Sequence, residues 1–166
     1  MLNIYTHTQP ILLSSDSNGR YKDVVGIAET GSGKTLAFSM PALSLMSSNK
    51  SLSNKHGRSP RMLVLAPTRE LAMQSQAVLS EFGAVVNLSS TVIYGGVPKH
   101  TQKDVLRRGV DCIVGTPGRL KDLINDGSCN LGNICHLVLD EADRMVRLFV
   151  SLCVFYVLLF ACVLWD

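Results

Sequence analysis

Short apolar runs alternate with segments of helical spacing along most of the chain. The runs are rich in Val, Ile and Leu, and they predict buried strands at residues 23–28, 61–66, 90–94, 110–115 and 136–140. Between them, apolar residues recur at helical spacing in segments 34–45, 68–82, 99–108 and 118–125. This alternation is typical of βαβ units, so we expect an α/β domain with a parallel sheet flanked by helices.

Length and charge limit the classes of function that need to be considered. The chain has 166 residues, enough for about one domain. Its 16 basic and 13 acidic residues give a net charge of +3 and are scattered, so bulk charge does not by itself favour a nucleic acid as partner. Residues 47–60 are mostly Ser, Asn, Lys, Gly and Pro, which predicts an exposed loop. Any nucleic-acid function must therefore be argued from local sites.

The cysteines and the first residues bear on the compartment. The chain has no Cys-x-x-Cys pair, and an odd number of cysteines suits reduced thiols better than a disulfide framework; the five are Cys112, Cys129, Cys135, Cys153 and Cys162. The four histidines lack metal-ligand spacing, so no zinc site is proposed. The start of the chain has neither a basic region nor a long apolar core, so no secretory signal is expected. These features indicate a nuclear, nucleolar or cytoplasmic protein that is not secreted.

A glycine-rich stretch follows the first predicted strand and opens the first predicted helix. It comprises Ala28, Glu29, Thr30, Gly31, Ser32, Gly33, Lys34 and Thr35. This is the context of a phosphate-binding loop, in which the glycines let backbone N–H groups approach phosphate oxygens. Lys34 supplies a cation for the β and γ phosphates, and the Thr35 hydroxyl can bind Mg²⁺. The stretch predicts a nucleoside triphosphate as ligand.

The last predicted strand ends in three carboxylates, Asp140, Glu141 and Asp143. Ligands of parallel sheets bind beyond the carboxyl ends of the strands, so Asp140 can face the loop and hold Mg²⁺ through water. Glu141 can position or deprotonate the attacking water. A solvated acidic helix start is the alternative, but the buried Leu-Val-Leu before it and the phosphate loop favour the functional interpretation. The two sites together indicate hydrolysis of a nucleoside triphosphate by in-line attack of water.

Two predicted helices begin with a threonine at the capping position. Thr116 precedes Pro117, a favoured first helical residue, and Thr68 has Glu70 in the first turn after it. Helix N-termini offer unpaired N–H groups to anions.

These residues carry a family resemblance. Asp140-Glu-Ala-Asp143 and the loop that begins at Ala28 resemble the name-giving signatures of the DEAD-box RNA helicases. Three further stretches are similar to first-domain motifs of that family, in the right order: Pro67-Thr-Arg-Glu-Leu-Ala72, Gly95-Gly96 and Thr116-Pro-Gly-Arg-Leu120. The sequences of these motifs look most similar to the p68-like branch of the family. The resemblance runs from about residue 23 to 145, and it implies the first of two RecA-like domains that remodel RNA with ATP.

The resemblance also implies ligands and roles. The ligands are ATP, Mg²⁺ and RNA; the loop from Ala28 to Thr35 binds ATP, and Thr35 and Asp140 serve the metal. Lys34, Asp140 and Glu141 are the implied catalytic residues, and Asp143 couples them to a motif that the chain lacks. The RNA contacts, made to the sugar-phosphate backbone without reading sequence, fall to Thr68, Arg69, Gly95, Gly96, Thr116, Pro117, Gly118 and Arg119.

The sequence departs from the family pattern at both ends. The family recognises adenine with a glutamine about two dozen residues upstream of the loop lysine, and Gln9 lies near that distance. The sequence around Gln9, however, would place Tyr5 at the position of that glutamine. The Ser-Ala-Thr motif and the second domain do not follow the acidic strand. We accordingly divide the chain into a partial or divergent adenine-reading region at 1–22, a truncated first domain at 23–145 and an apolar tail at 146–166.

In the tail, seventeen of the eighteen residues from Leu148 to Trp165 are apolar. A helix of that length spans about 27 Å, near the thickness of a bilayer core, so a membrane anchor is one interpretation. A helix buried on all sides is the second. The third, which we favour, is translated non-coding sequence such as a retained intron, because most of these residue types share thymine-rich codons.

The expectation from sequence is thus a RecA-like P-loop domain, the amino-terminal half of an ATP-dependent RNA helicase. It would bind MgATP and single-stranded RNA, and by itself it would hydrolyse ATP weakly or not at all. The alternatives are a truncated module that binds nucleotide or RNA without catalysis, and a membrane-anchored P-loop NTPase; a membrane partner is not favoured.

Overall fold

The computed structural model of the protein describes residues 23–29, 31–48 and 59–148. Within these ranges the elements are, in chain order, α1 (Lys34–Ser48), β1 (Met62–Leu65), α2 (Arg69–Val85), β2 (Ser90–Ile93), α3 (Lys99–Arg108), β3 (Cys112–Gly115), α4 (Pro117–Asn125), β4 (His136–Leu139) and α5 (Ala142–Leu148). Four of the predicted strands and all four predicted helices are confirmed, with ends shifted by at most three residues. Helix α5 was not predicted.

The four strands form one sheet in the order β2-β3-β1-β4, and every neighbouring pair is parallel. Strand β1 is central, and its Met62 pairs with Cys112 of β3 on one side and His136 of β4 on the other. The expected α/β fold with a parallel sheet is therefore confirmed.

Helices cover both faces of the sheet, because successive side chains of a strand point to opposite sides. Met62 and Val64 of β1 pack in a cluster with α1 and α2, whereas Leu63 and Leu65 pack with α3, α4 and α5. All four residues are at most 4% exposed. The domain is thus built of three layers, and its central strand is apolar throughout because both of its faces are buried.

A buried ion pair ties the sheet together at the amino-terminal ends of its strands. Arg61, just before β1, lies 3.5 Å by its Nη2 from Oδ1 of Asp111, just before β3, and both residues are almost fully buried. Arg61 also donates to the carbonyl of Met46 in α1, and Asp111 accepts from the N–H and hydroxyl of Ser89. Two buried charges are tolerated here because each one has further polar partners.

The strand predicted at 23–28 is wrong. Residues 23–29 have no regular secondary structure, and the side chains of Val25 and Ile27 are 93% and 98% exposed. A strand needs a neighbour for its backbone groups, but both edges of β1 are already paired, and residues 23–29 join neither β2 nor β4. Without that pairing, the apolar side chains of this segment have nothing to pack against.

Two regions that the sequence analysis singled out lie outside the described residues: the segment 1–22 with Tyr5 and Gln9, and the tail from residue 149 onward. In the part of the chain that is described, no helix combines the length and the apolar character that a membrane crossing requires.

Candidate functional site

Three loops that directly follow β1, β2 and β3 enclose a cleft of about 460 Å³. We call it the strand-end cleft; its lining consists of Pro67, Thr68, Arg69, Glu70, Gly95, Thr116, Gly118 and Arg119. Parallel strands carry their carboxyl ends to the same edge of the sheet, which is why segments distant in sequence meet here. Six of the eight residues expected to contact RNA line the cleft. Of the other two, Gly96 adjoins it through Arg69, and Pro117 is buried as the first residue of α4.

The amino termini of α2 and α4 both begin at the strand-end cleft. Thr68 caps α2: its backbone is extended, with φ −126° and ψ 160°, and its hydroxyl accepts a hydrogen bond from the N–H of Leu71. Thr116 occupies the corresponding position before α4, but its side chain makes no capping hydrogen bond. The hydroxyl cap predicted for Thr116 is therefore wrong; at this helix start it is the backbone carbonyl of Thr116 that accepts, from the N–H of Leu120. Both helix ends direct partial positive charge toward the cleft.

The guanidinium of Arg69 lies next to the turn that follows β2. Gly96 has a φ of +91°, and a Cβ built on it would stand 2.7 Å from Nη1 of Arg69. Glycine is therefore favoured at 96 by its backbone conformation, and a Cβ there would also displace the guanidinium from its present position. At Gly95 a Cβ would meet no atom within 4 Å.

Arg119 joins α4 to the same turn. Its Nη1 donates to the carbonyl of Val97 at 3.0 Å and to Oε1 of Gln102 at 3.2 Å. The amide nitrogen of Gln102 in turn donates to the carbonyl of Tyr94 at 3.0 Å. Sequence reasoning missed Gln102, because a single glutamine in a polar helix has no local pattern that distinguishes it from a solvent-exposed residue.

The phosphate-binding loop holds its own lysine. Nζ of Lys34 donates to the carbonyl of Ala28 at 2.8 Å, and Gly31 and Gly33 have φ values of +78° and +90°. The Ser32 hydroxyl is buried, with no hydrogen-bond partner among the described residues. An unpaired buried hydroxyl and a lysine satisfied only by a loop carbonyl fit a loop whose polar groups turn to phosphate oxygens when a nucleotide binds. Thr35 lies in the first turn of α1, and Thr30 is outside the described residues.

Asp140 directly follows β4, and its N–H donates to the carbonyl of Leu65. Its carboxylate accepts a hydrogen bond from the hydroxyl of Ser75, a buried residue of α2, at 3.3 Å. Sequence reasoning missed this donor as well, because Ser75 is 65 residues away and only the fold brings it close. Carboxylate oxygens are the ligands that Mg²⁺ prefers, so Asp140 fits the metal role.

Glu141 has a strained backbone and a paired side chain. Its φ of +50° is rare for a residue other than glycine, and such strain concentrates at functional sites. Nη1 of Arg144 lies 3.0 Å from Glu141 Oε2, an ion pair whose alignment does not make a hydrogen bond. Asp143 is exposed in the first turn of α5. In the described part of the chain, no hydrogen bond or ion pair joins the phosphate-binding loop to Asp140 or Glu141; the α1 that follows the loop packs on α2, which carries Ser75.

The three described cysteines hold their protons more tightly than a free thiol does. Burial raises the pKa of Cys112 to about 12 and that of Cys129 to about 11, and it raises the pKa of Cys135 too. Cys112 and Cys129 are buried in the two core clusters, whereas Cys135 is exposed and its thiol donates to the carbonyl of Arg61 at 3.4 Å.

Comparison with known proteins adds independent information. The sequence model of the family described as "DEAD/DEAH box helicase" matches residues 7–153, a wider span than the motifs alone indicate. Among curated proteins, the chain is 50% identical over 143 residues to ATP-dependent RNA helicase dbp3 of Neosartorya fischeri, covering 86% of this chain and 27% of that protein. It is 48% identical over 125 residues to probable ATP-dependent RNA helicase ddx17 of Dictyostelium discoideum, covering 75% and 16%.

Two solved structures of DEAD-box or RNA helicase proteins are similar to this chain in fold and in sequence. The crystal structure of the yeast DEAD-box splicing factor Prp28 matches with a TM-score of 0.79 and 34% identity, over 93% of this chain and 35% of that one. A hypothetical ATP-dependent RNA helicase from Sulfolobus tokodaii matches with a TM-score of 0.71 and 34% identity, over 87% and 38%. The chain thus spans well under half the length of each relative.

Proposed function

Because the chain belongs to the DEAD/DEAH box helicase family, we propose that it is the ATP-binding and RNA-binding first domain of an ATP-dependent RNA helicase. The observation that carries the proposal is the strand-end cleft, in which three separate motifs converge on one surface. The chain spans 16 to 27% of the curated relatives compared above, so coupling of hydrolysis to unwinding is not assigned to these residues alone.

The strand-end cleft is suited to a nucleic-acid backbone. It presents two arginines, Arg69 and Arg119, against one carboxylate, Glu70, and it receives the amino termini of α2 and α4. Guanidinium groups and helix N-termini both bind phosphate oxygens. The cleft contains no aromatic platform, so its chemistry favours the backbone of RNA over its bases. Binding without sequence preference follows.

For the nucleotide, the residues that fit are Lys34, Thr35 and the backbone of the loop before them. Lys34 must leave the carbonyl of Ala28 to reach a phosphate, so nucleotide binding exchanges one hydrogen bond for a charge-assisted one. Mg²⁺, held by Thr35 and by Asp140 through water, would neutralise phosphate charge. Glu141 orients the attacking water and accepts its proton, and the charge of Arg144 lies beside its carboxylate.

The experiment that tests this function measures two ligands on one protein. Fluorescence anisotropy with a labelled single-stranded RNA of mixed sequence reports the strand-end cleft, and a fluorescent ATP analogue with Mg²⁺ reports the loop. We expect Lys34→Ala to abolish nucleotide binding, and Arg69→Ala to weaken RNA binding about tenfold, the lower range for a hydrogen bond to a charged group.

Arg107→Ala is the matched control, because this arginine is exposed on α3, pairs with Asp104 and lines no part of the cleft. It should leave both affinities close to those of the unmodified chain. RNA binding that is undetectable at low salt, or equally weakened by Arg69→Ala and Arg107→Ala, would overturn the proposal.

A further inference from the structure

Gln102 is the one buried residue of α3, a helix that is otherwise polar or partly exposed. It is 8% exposed, and both ends of its amide are used. The nitrogen donates to the carbonyl of Tyr94, and the oxygen accepts from Nη1 of Arg119. A carbonyl can only accept and a guanidinium can only donate, so the amide fits in one orientation and neither aspartate-like nor lysine-like chemistry could replace it.

The two bonds of Gln102 join two walls of the strand-end cleft. Tyr94 directly precedes Gly95 and Gly96, in the turn after β2, whereas Arg119 lies in the first turn of α4. Arg119 adds a bond of its own to the carbonyl of Val97. The turn 94–97 is thus bound to α4 directly at Val97 and, through Gln102 of α3, at Tyr94. Gln102 supports both the turn and Arg119.

These bonds also determine which part of Arg119 remains for a ligand. A guanidinium has five N–H groups, and the two on Nη1 are used toward Val97 and Gln102. No other hydrogen bond of this side chain is found in the described part of the chain, which leaves Nε and Nη2 for phosphate oxygens. Arginine side chains lose considerable rotamer freedom on binding, and an arginine that is already fixed loses less of it.

We propose that Gln102 is a positioning residue for RNA: it holds Arg119 so that its free edge faces the strand-end cleft, and it fixes the Gly95-Gly96 turn opposite. The proposal rests on the proposed function, because it names a residue that acts on the same site. Gln102 itself does not line the cleft. It therefore acts through Arg119 and the turn rather than by touching RNA.

The test is a double-mutant cycle between Gln102→Met and Arg119→Ala, read out as RNA affinity at several salt concentrations. Methionine keeps the length of glutamine and removes both hydrogen bonds. For single strands the slope of log affinity against log salt changes by about 0.7 for each phosphate contact. We expect each single variant to weaken RNA binding about tenfold and to reduce the slope by about 0.7. The double variant should be weaker than Arg119→Ala alone by clearly less than the loss that Gln102→Met causes in the unmodified chain, because only the support of the turn through Tyr94 is then left to lose.

Gln76→Met is the matched control. Gln76 is a half-buried glutamine of α2 whose amide donates to the hydroxyl of Ser90, away from the cleft. Its loss should change neither the RNA affinity nor the salt slope. If Gln102→Met does not fold by circular dichroism, Gln102→Asn takes its place, since the shorter amide stays polar but cannot reach both partners.

The outcomes separate the inference from the proposed function. Unchanged affinity and slope in the Gln102 variant, with a clear loss in Arg119→Ala, would overturn the positioning role and leave RNA binding intact. Additive losses would overturn it too. If the unmodified chain binds no RNA, the proposed function fails, and hydrogen exchange then decides: at least tenfold faster exchange at residues 94–97 in Gln102→Met supports positioning, and unchanged exchange refutes it.

Discussion

Replacing Gly96 by alanine should lower both the stability and the RNA affinity of the chain, for two separable reasons. The φ of +91° at Gly96 is a left-handed conformation, which costs a residue with a Cβ about 1–2 kcal/mol. The new Cβ would also stand 2.7 Å from Nη1 and 3.2 Å from Cζ of Arg69. Because the guanidinium is the far end of a flexible side chain, it can swing aside at small cost to stability. It would then leave the strand-end cleft.

Urea unfolding followed by circular dichroism measures the first effect. A loss of 1–2 kcal/mol lowers the midpoint by roughly 0.5–1 M for a slope of about 2 kcal/mol per M, and the slope itself should not change. RNA anisotropy measures the second effect, for which we expect about a tenfold loss. In an Arg69→Ala background, Gly96→Ala should cause no further loss of RNA affinity, because the displaced group is already gone.

Gly95→Ala provides the comparison within the same turn. Its Cβ would meet nothing within 4 Å, and the φ of Gly95 lies outside the left-handed range, so its stability should stay within about 0.5 kcal/mol of the unmodified chain. Equal destabilisation by the two substitutions would refute the backbone argument. A destabilised Gly96→Ala with full RNA affinity would refute the argument from Arg69.

Three further substitutions test the buried groups of the sheet. Asp111→Asn should lower the free energy of unfolding by about 3–5 kcal/mol in urea, because Arg61 keeps a buried charge without its counter-ion. Asp126→Asn, in an exposed pair with Lys99 and Lys103, should barely shift the unfolding midpoint. Similar effects of the two substitutions would contradict this reasoning. The raised pKa of Cys112 means that above pH 9 the unfolded chain releases a thiol proton that the folded chain keeps until about pH 12. Stability should therefore fall with rising pH in that window by up to about 1.4 kcal/mol per pH unit, and Cys112→Val should fall less steeply. Burial and the charge of Arg61 lower the pKa of His136, so the unfolded chain takes up a proton before the folded chain as pH drops through 6.5. The free energy of unfolding should fall there in the unmodified chain and change less in His136→Gln. Parallel curves of stability against pH would refute this prediction.

Most of the fold could be predicted from the sequence because the buried positions of a strand or helix recur with the period of that element. Strand β1 is apolar at every position since both of its faces are covered. The predicted bounds of α3, residues 99–108, are those of the structure. The segment 23–28 has the same apolar character, yet it forms no strand, because strand formation also depends on a partner edge that its own residues do not encode. Strand pairing depends on the tertiary fold, whereas the local pattern of apolar residues indicates only which positions tend to be buried.

The candidate site divides in the same way. The capping positions of Thr68 and Thr116 could be predicted because the local sequence determines where a helix begins, although only Thr68 makes the hydroxyl bond. Gln102 and Ser75 could not, since their roles depend on polar contacts that only the fold creates: Gln102 with Tyr94 and Arg119, and Ser75 with Asp140. A buried polar side chain in a helix carries no periodic signal. Only the folded chain shows which polar group it satisfies.

The buried pair of Arg61 and Asp111 and the strand-end cleft lie at opposite ends of the same strands. A four-residue strand spans about 13 Å, farther than the 7–10 Å within which substitutions usually interfere with one another. The domain can therefore be engineered from its two ends independently. Changes at the ion pair have to keep partners for the carbonyl of Met46 and for the N–H and hydroxyl of Ser89, and within that limit the stability of the domain can be altered without touching the cleft.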